Sequence, residues 1–188
     1  MNPDSSLSAA LNRWSVQNAI LMLSAVGSAG LLGPEGLPLA TALAGGSFLG
    51  FVARFRGRWT PAGRFGPGNA LTLLRLLATL ALLLGLAGEP WPAVLALFIL
   101  SADGLDGWAA RRSGLASDFG QFFDLEADAC FFLVLCLLAY TQHGLGAWVL
   151  LPGMLRYLFV LFAAWAGPPR RSIQGNRFTR SIGLGAML

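Results

Sequence analysis

The chain has 188 residues, of which 55% are hydrophobic and 12% charged, with a mean hydropathy of +0.63; a soluble domain carries about 25% charged residues. The net charge of +4 comes from 13 basic residues, all arginine, set singly and in pairs around apolar stretches, so no continuous basic face exists to grip nucleic acid. What remains is an all-α, polytopic integral membrane bundle, because each apolar block approaches the roughly 20 residues that cross a bilayer as helix.

Taken in order, the blocks run over Val16–Leu32, Leu37–Val52, Ala70–Leu86, Trp91–Ala109, Phe119–Tyr140 and Leu145–Trp165. The first has the outline of a secretory signal after Arg13, yet the loop arithmetic below closes only if it is retained. With the second it predicts an accessory N-terminal hairpin, Gly/Ala-rich and without an ionisable residue. Arg54, Arg56 and Arg58, followed by a Pro/Gly-rich stretch to Gly68, read as a linker. The expected division is residues 1–60 for hairpin and linker and 61–188 for a second domain. A last apolar run, Ile182–Leu188, is too short to cross, so this second domain is expected to be incomplete at its C-terminal end.

If the blocks alternate in direction, the loops holding Arg13, then Arg54 to Arg64, then Arg111 and Arg112, then Arg170 to Arg180 share one side. The opposite loops, near Glu35, Glu89 and His143, carry no arginine. The positive-inside rule assigns the arginine side to the cytoplasm. Cys130 and Cys136 read as small membrane-buried residues.

Four aspartates interrupt this pattern: Asp103 and Asp106 in one block, Asp124 and Asp128 in the next. Ionisable residues inside the membrane are costly and mark function. On a helix the first pair lies about 60° apart and the second about 40°, so each projects from one face. A turn near Gly114–Ala116 sets Asp106 level with Asp124 and Asp103 level with Asp128, with Gly107, Ala110 and Gly120 leaving room between the helices. Clustered carboxylates in low dielectric would hold protons unless a cation compensated them, and hard oxygen ligands favour Mg²⁺ or Mn²⁺.

The stretch Asp103-x2-Asp106-Gly107-x2-Ala110-Arg111-x8-Gly120-x3-Asp124-x3-Asp128 resembles the signature of the CDP-alcohol phosphotransferase family at every fixed position. Upstream, Asn69-Ala70-Leu71-Thr72-Leu73-Leu74-Arg75 is similar to the N-x-L-T-x2-R that opens the family's first helix, although Gly68 stands between Pro67 and Asn69 where the family usually has Pro directly before Asn. The resemblance covers roughly Pro67 to Leu188 and implies a six-helix membrane domain, often dimeric, opening to the cytoplasm of a bacterial inner membrane. It implies a transferase of phospholipid biosynthesis that moves a phosphoalcohol from a CDP-alcohol such as CDP-diacylglycerol to an acceptor alcohol and releases CMP. Two ions of Mg²⁺ or Mn²⁺ would be held, the first by Asp103, Asp106 and Asp124 and the second by Asp103, Asp124 and Asp128. Asp128 would also be the general base, and Asn69, Ala70, Leu71, Thr72, Gly107, Arg111 and Ser117 would contact the CDP moiety.

Other polar residues have structural readings. Ser117 and Asp118 each suit a helix N-cap. Glu126 lies about 200° round the helix from Asp124 and faces away, where it requires a partner or a proton. Arg156, in mid-membrane, either neutralises Glu126 or holds an anionic group of the acceptor. Arg170, Arg171 and Arg177 suit a phosphorylated acceptor or the positive-inside rule equally. A cation path through the aspartates is the rival reading, and it leaves Asn69–Thr72 and Arg111 without a use.

Overall fold

In a computed structural model of the chain, the described residues are 3–85, 91–102 and 105–167. They form helices α1 (Pro3–Leu32), α2 (Leu37–Arg54), α3 (Pro67–Leu83), α4 (Trp91–Ala102), α5 (Leu105–Arg112), α6 (Asp118–Thr141) and α7 (Leu150–Ala166), with no strand among them. The expected all-α architecture is what is found. The block expected over Trp91–Ala109 is described as two helices, and the run Ile182–Leu188 lies outside the described residues.

Helix α1 starts well before the apolar block that announced it. Leu7, Leu11 and Trp14 recur at helical spacing ahead of Val16, and Leu11 and Trp14 are buried, so amphipathic packing extends the helix where hydropathy alone does not. α7 starts later than expected, at Leu150, because a 3-10 turn over Ala147–Val149 follows Gly146.

α1 and α2 form the antiparallel hairpin the sequence suggests, turning through Gly33–Gly36. The Trp14 ring lies 4.0 Å from that of Phe51, and its indole N–H donates to the Ser47 carbonyl at 3.3 Å. Phe51 also stacks on Phe119 of α6 at 4.8 Å and 10°. The hairpin is therefore bound to α6 by an aromatic core. α6 is the hub, packed on α1, α3 and α7, while α3 also meets α4 and α5.

The exterior is apolar. Leu31, Leu49, Leu155, Phe159 and Trp165 are exposed, while Arg75 and Glu126 are buried. Such a surface suits hydrocarbon, and the segments Leu7–Arg54 and Ala147–Ala166 are long and apolar enough to cross a membrane. The family-typical reading of a membrane protein accords with this order.

Close contact between α6 and α7 needs Gly153, since a Cβ there would lie 3.0 Å from the Leu133 Cα and 3.1 Å from the Cys136 Cβ. Gly153→Val should force the helices apart and cost about 1–3 kcal/mol, the usual range for overpacking. Thermal unfolding in detergent should show a lowered midpoint; an unchanged midpoint would mean the two helices accommodate the side chain.

Candidate active site

The turn between α2 and α3 folds back onto the bundle. Trp59 donates its indole N–H to the Val52 carbonyl at 2.9 Å and sets its ring edge-on to Phe65 at 5.2 Å. The Trp59 carbonyl then accepts from the Asn69 side-chain amide at 3.3 Å and from the Ser117 hydroxyl at 2.6 Å. One loop carbonyl thus joins the start of α3 to the start of α6. Gly66, at φ 75°, makes the left-handed turn that delivers Pro67 as a first helical residue.

Ser117 is the N-cap of α6, its hydroxyl accepting from the Gly120 N–H at 3.0 Å. Gly120 is where α3 comes closest, because a Cβ there would sit 2.7 Å from the Asn69 side-chain oxygen. The spacing that suggested room for a ligand also serves this helix contact.

Below this junction lies a cavity of about 680 Å³, lined by residues of three helices. α3 supplies Gly68, Asn69 and Thr72; α5 supplies Gly107 and Arg111; the turn and α6 supply Ser117, Gly120, Asp124 and Asp128, among others. Of the residues expected to bind the CDP moiety, five therefore line one space: Asn69, Thr72, Gly107, Arg111 and Ser117. Ala70 and Leu71 are not among the lining residues, and Ala70 is exposed on another side of α3. Gly68, between Pro67 and Asn69, lines the cavity wall.

Asp124 and Asp128 project into the cavity from one face of α6, as their spacing requires. Asp103 lies outside the described residues. Asp106 belongs to α5 beside Gly107, and its side chain is likewise outside them. The convergence of all four carboxylates therefore stays an expectation from the sequence.

Sequence reasoning gave Arg75 no role beyond its place in a motif. Its guanidinium is buried and bridges the aspartate pair, one nitrogen donating to Asp124 at 2.9 Å and the other to Asp128 in a shorter contact. Arg75 sits one turn beyond Thr72, on the α3 face that includes Asn69 and Thr79. A lone arginine in an apolar helix, three residues from a motif threonine, was the available signal.

Among the described residues no group of three or more carboxylate, His or Cys side chains stands together as a metal site. Asp124 and Asp128 supply oxygen donors of the kind a hard divalent cation takes. Two carboxylates, about one-third and two-fifths exposed, face the cavity and already draw a positive group to themselves. Arg111 at the same wall offers a planar fork for phosphate oxygens.

The model of the family described as CDP-alcohol phosphatidyltransferase matches residues 67–183, more than half of the chain. A CDP-diacylglycerol–serine O-phosphatidyltransferase of Encephalitozoon cuniculi (strain GB-M1) is 39% identical over 90 residues, which is 42% of this chain. The match spans only 23% of that relative's length. No solved structure matches the chain.

Removing the Arg75 charge should take one positive partner from two neighbouring carboxylates. Arg75→Gln is expected to cost about 1–3 kcal/mol, between the values for exposed and for buried pairs. The measurement is thermal unfolding in chelator, with part of the loss restored by Mn²⁺, which would supply positive charge in place of the guanidinium. Equal midpoints for variant and wild type would remove Arg75 from the site.

Proposed function

We propose what this chain does from one premise: it belongs to the CDP-alcohol phosphatidyltransferase family, whose model covers residues 67–183. The reading is an integral-membrane transferase of phospholipid biosynthesis that passes a phosphatidyl group from CDP-diacylglycerol to an acceptor alcohol. The observation that carries it is the single cavity in which the expected donor-binding residues Asn69, Thr72, Gly107, Arg111 and Ser117 meet Asp124 and Asp128.

In the reaction, the acceptor oxygen attacks the phosphorus that bears the lipid alcohol. A new P–O bond forms there, the P–O bond to the CMP phosphate breaks, and CMP leaves. Asp128 takes the acceptor proton, a contribution worth roughly 10²–10⁴ in rate. Gly107, having no side chain, lets the diphosphate lie close to α5, and Arg111 holds phosphate oxygens. Asn69 and Thr72 border the same space from α3. Two ions of Mg²⁺ or Mn²⁺, held by Asp103, Asp106, Asp124 and Asp128, would neutralise charge on the diphosphate. Arg75 orients Asp124 and Asp128 from behind.

Orientation follows from the arginine loops. The loop bearing Arg54, Arg56, Arg58 and Arg64 and the turn after Arg111 and Arg112 meet at the Trp59 carbonyl, which supports a common cytoplasmic side. The mouth of the cavity would then open to the cytoplasm of a bacterial inner membrane, with a second copy of the chain as an expected neighbour. Residues 61–188 are proposed as the transferase domain. Serine, the acceptor in the relative's name, heads the acceptor panel.

The test is CMP release by purified protein given CDP-diacylglycerol and a panel of acceptors with Mg²⁺ or Mn²⁺. Turnover should stop in excess chelator. Asp128→Asn should abolish release yet keep measurable donor affinity, whereas Asp106→Asn should weaken both. Turnover of Asp128→Asn within a few-fold of wild type would assign the base elsewhere, and full activity in chelator would sink the metal. A cysteine at Arg58 should resist a membrane-impermeant thiol reagent in intact cells; ready labelling would reverse the orientation.

A further inference from the structure

Helix α6 carries acidic residues on two faces. Asp124 and Asp128 face the cavity, while Glu126, between them in sequence, projects roughly 160° away from each. Its side chain is fully buried. One carboxylate oxygen accepts from the Ser15 hydroxyl at 2.8 Å and from the Arg156 guanidinium at 2.6 Å; the other accepts from the Asn18 amide at 3.1 Å. The Asn18 side-chain oxygen in turn accepts from the Ser47 hydroxyl at 2.7 Å. A carboxylate outside the cavity is thus held by α1 and α7 directly and by α2 through Asn18.

We infer that Glu126 is a positioning residue, and that the α1–α2 hairpin, which lies outside the family match, belongs to the working unit of the transferase by clamping α6 in rotation. The inference rests on the cavity being the active site. The lever is short and stiff. Turning α6 by about 20° would move carboxylates some 5 Å from its axis by roughly 2 Å. A misplacement of about 1 Å can cost 10²-fold in rate, so the tolerance is smaller than the motion the clamp prevents.

Apolar packing alone would restrain this rotation weakly, because leucine and phenylalanine faces offer no direction. The hydrogen bonds to Glu126 are directional, and losing the Asn18 amide takes the donor from one carboxylate oxygen while losing the Ser15 hydroxyl leaves the other to Arg156. Arg75 holds the opposite face of α6 through Asp124 and Asp128. The helix is therefore fixed from both sides, with Glu126 acting through its neighbours and touching no substrate.

The test uses the full-length chain in detergent with three kinds of variant. Ser15→Ala and Asn18→Leu remove donors to Glu126, Ser15→Thr keeps the hydroxyl, and Met22→Ala removes a buried apolar side chain of α1 that gives Glu126 no hydrogen bond. Three quantities are read: Mn²⁺ affinity by electron paramagnetic resonance, kcat and KM for CDP-diacylglycerol, and the unfolding midpoint. Ser15→Ala and Asn18→Leu should weaken Mn²⁺ binding and lower kcat by roughly 10- to 100-fold, the scale on which a misplacement of about 1 Å acts, with KM changed little. Ser15→Thr should stay near wild type. Met22→Ala should lower the midpoint while leaving Mn²⁺ affinity and kcat of the folded protein unchanged. If Ser15→Ala and Asn18→Leu behave like Met22→Ala, the hairpin is packing only and the inference is overturned. A wild type that binds Mn²⁺ without releasing CMP would refute the transferase reading instead, while the Mn²⁺ affinities would still decide the clamp.

Discussion

Everything in this bundle turns on how charge is carried through an apolar helix. α6 would be a simple membrane-type segment but for Asp124, Glu126 and Asp128. An acidic group in an apolar helix needs a partner, because an unmet one in low dielectric costs several kcal/mol. The three are met from opposite sides, Asp124 and Asp128 by Arg75 of α3, and Glu126 by Arg156 of α7 with Ser15 and Asn18 of α1. The neighbours of α6 are thereby selected, and the bundle is assembled around that selection. Aromatic contacts such as Phe51 on Phe119 then close the space between the hairpin and the hub.

The cavity follows from the same constraint together with small residues at the helix junction. Gly120 admits the Asn69 side chain, and the Trp59 carbonyl joins Asn69 to Ser117, so α3 and α6 converge at the loop end. Further along, the aspartates and Arg75 occupy the space between them. Polar groups that could recognise a nucleotide diphosphate thus line the wall nearest the arginine loops, and Asp124 and Asp128 lie beyond them. That sequence of groups along the cavity is what a donor with a polar head and a lipid tail would require.

Much of this was legible in the residues. Helical blocks separated by glycine, proline and arginine announced α2, α3, α6 and α7 within a few residues, since hydropathy governs membrane segments strongly. The one-turn spacing of Asp124 and Asp128 foretold a shared face, and the 200° offset of Glu126 foretold that it would turn away and need a partner or a proton; of the two roles open to Arg156, the ion pair with Glu126 is the one found. The missed parts depend on contacts between distant residues. Ser15 and Asn18 drew no reading from the sequence, because nothing local announces that Glu126, more than 100 residues away, lies against them. Trp59 read as part of a linker, since its role lies in its backbone carbonyl, which carries no sequence signature. The early start of α1 escaped for a related reason, as its first turns are amphipathic rather than wholly apolar.

On the proposed reading, the cavity between α3, α5 and α6 receives the cytidine diphosphate against Asp124 and Asp128. Anomalous diffraction from crystals of the full chain grown with Mn²⁺ and CDP decides whether it does. A manganese peak is expected beside Asp124 and Asp128, with the nucleotide in the space walled by Asn69, Thr72, Gly107 and Arg111. A manganese peak remote from both aspartates, or a nucleotide bound outside that space, would overturn the proposal.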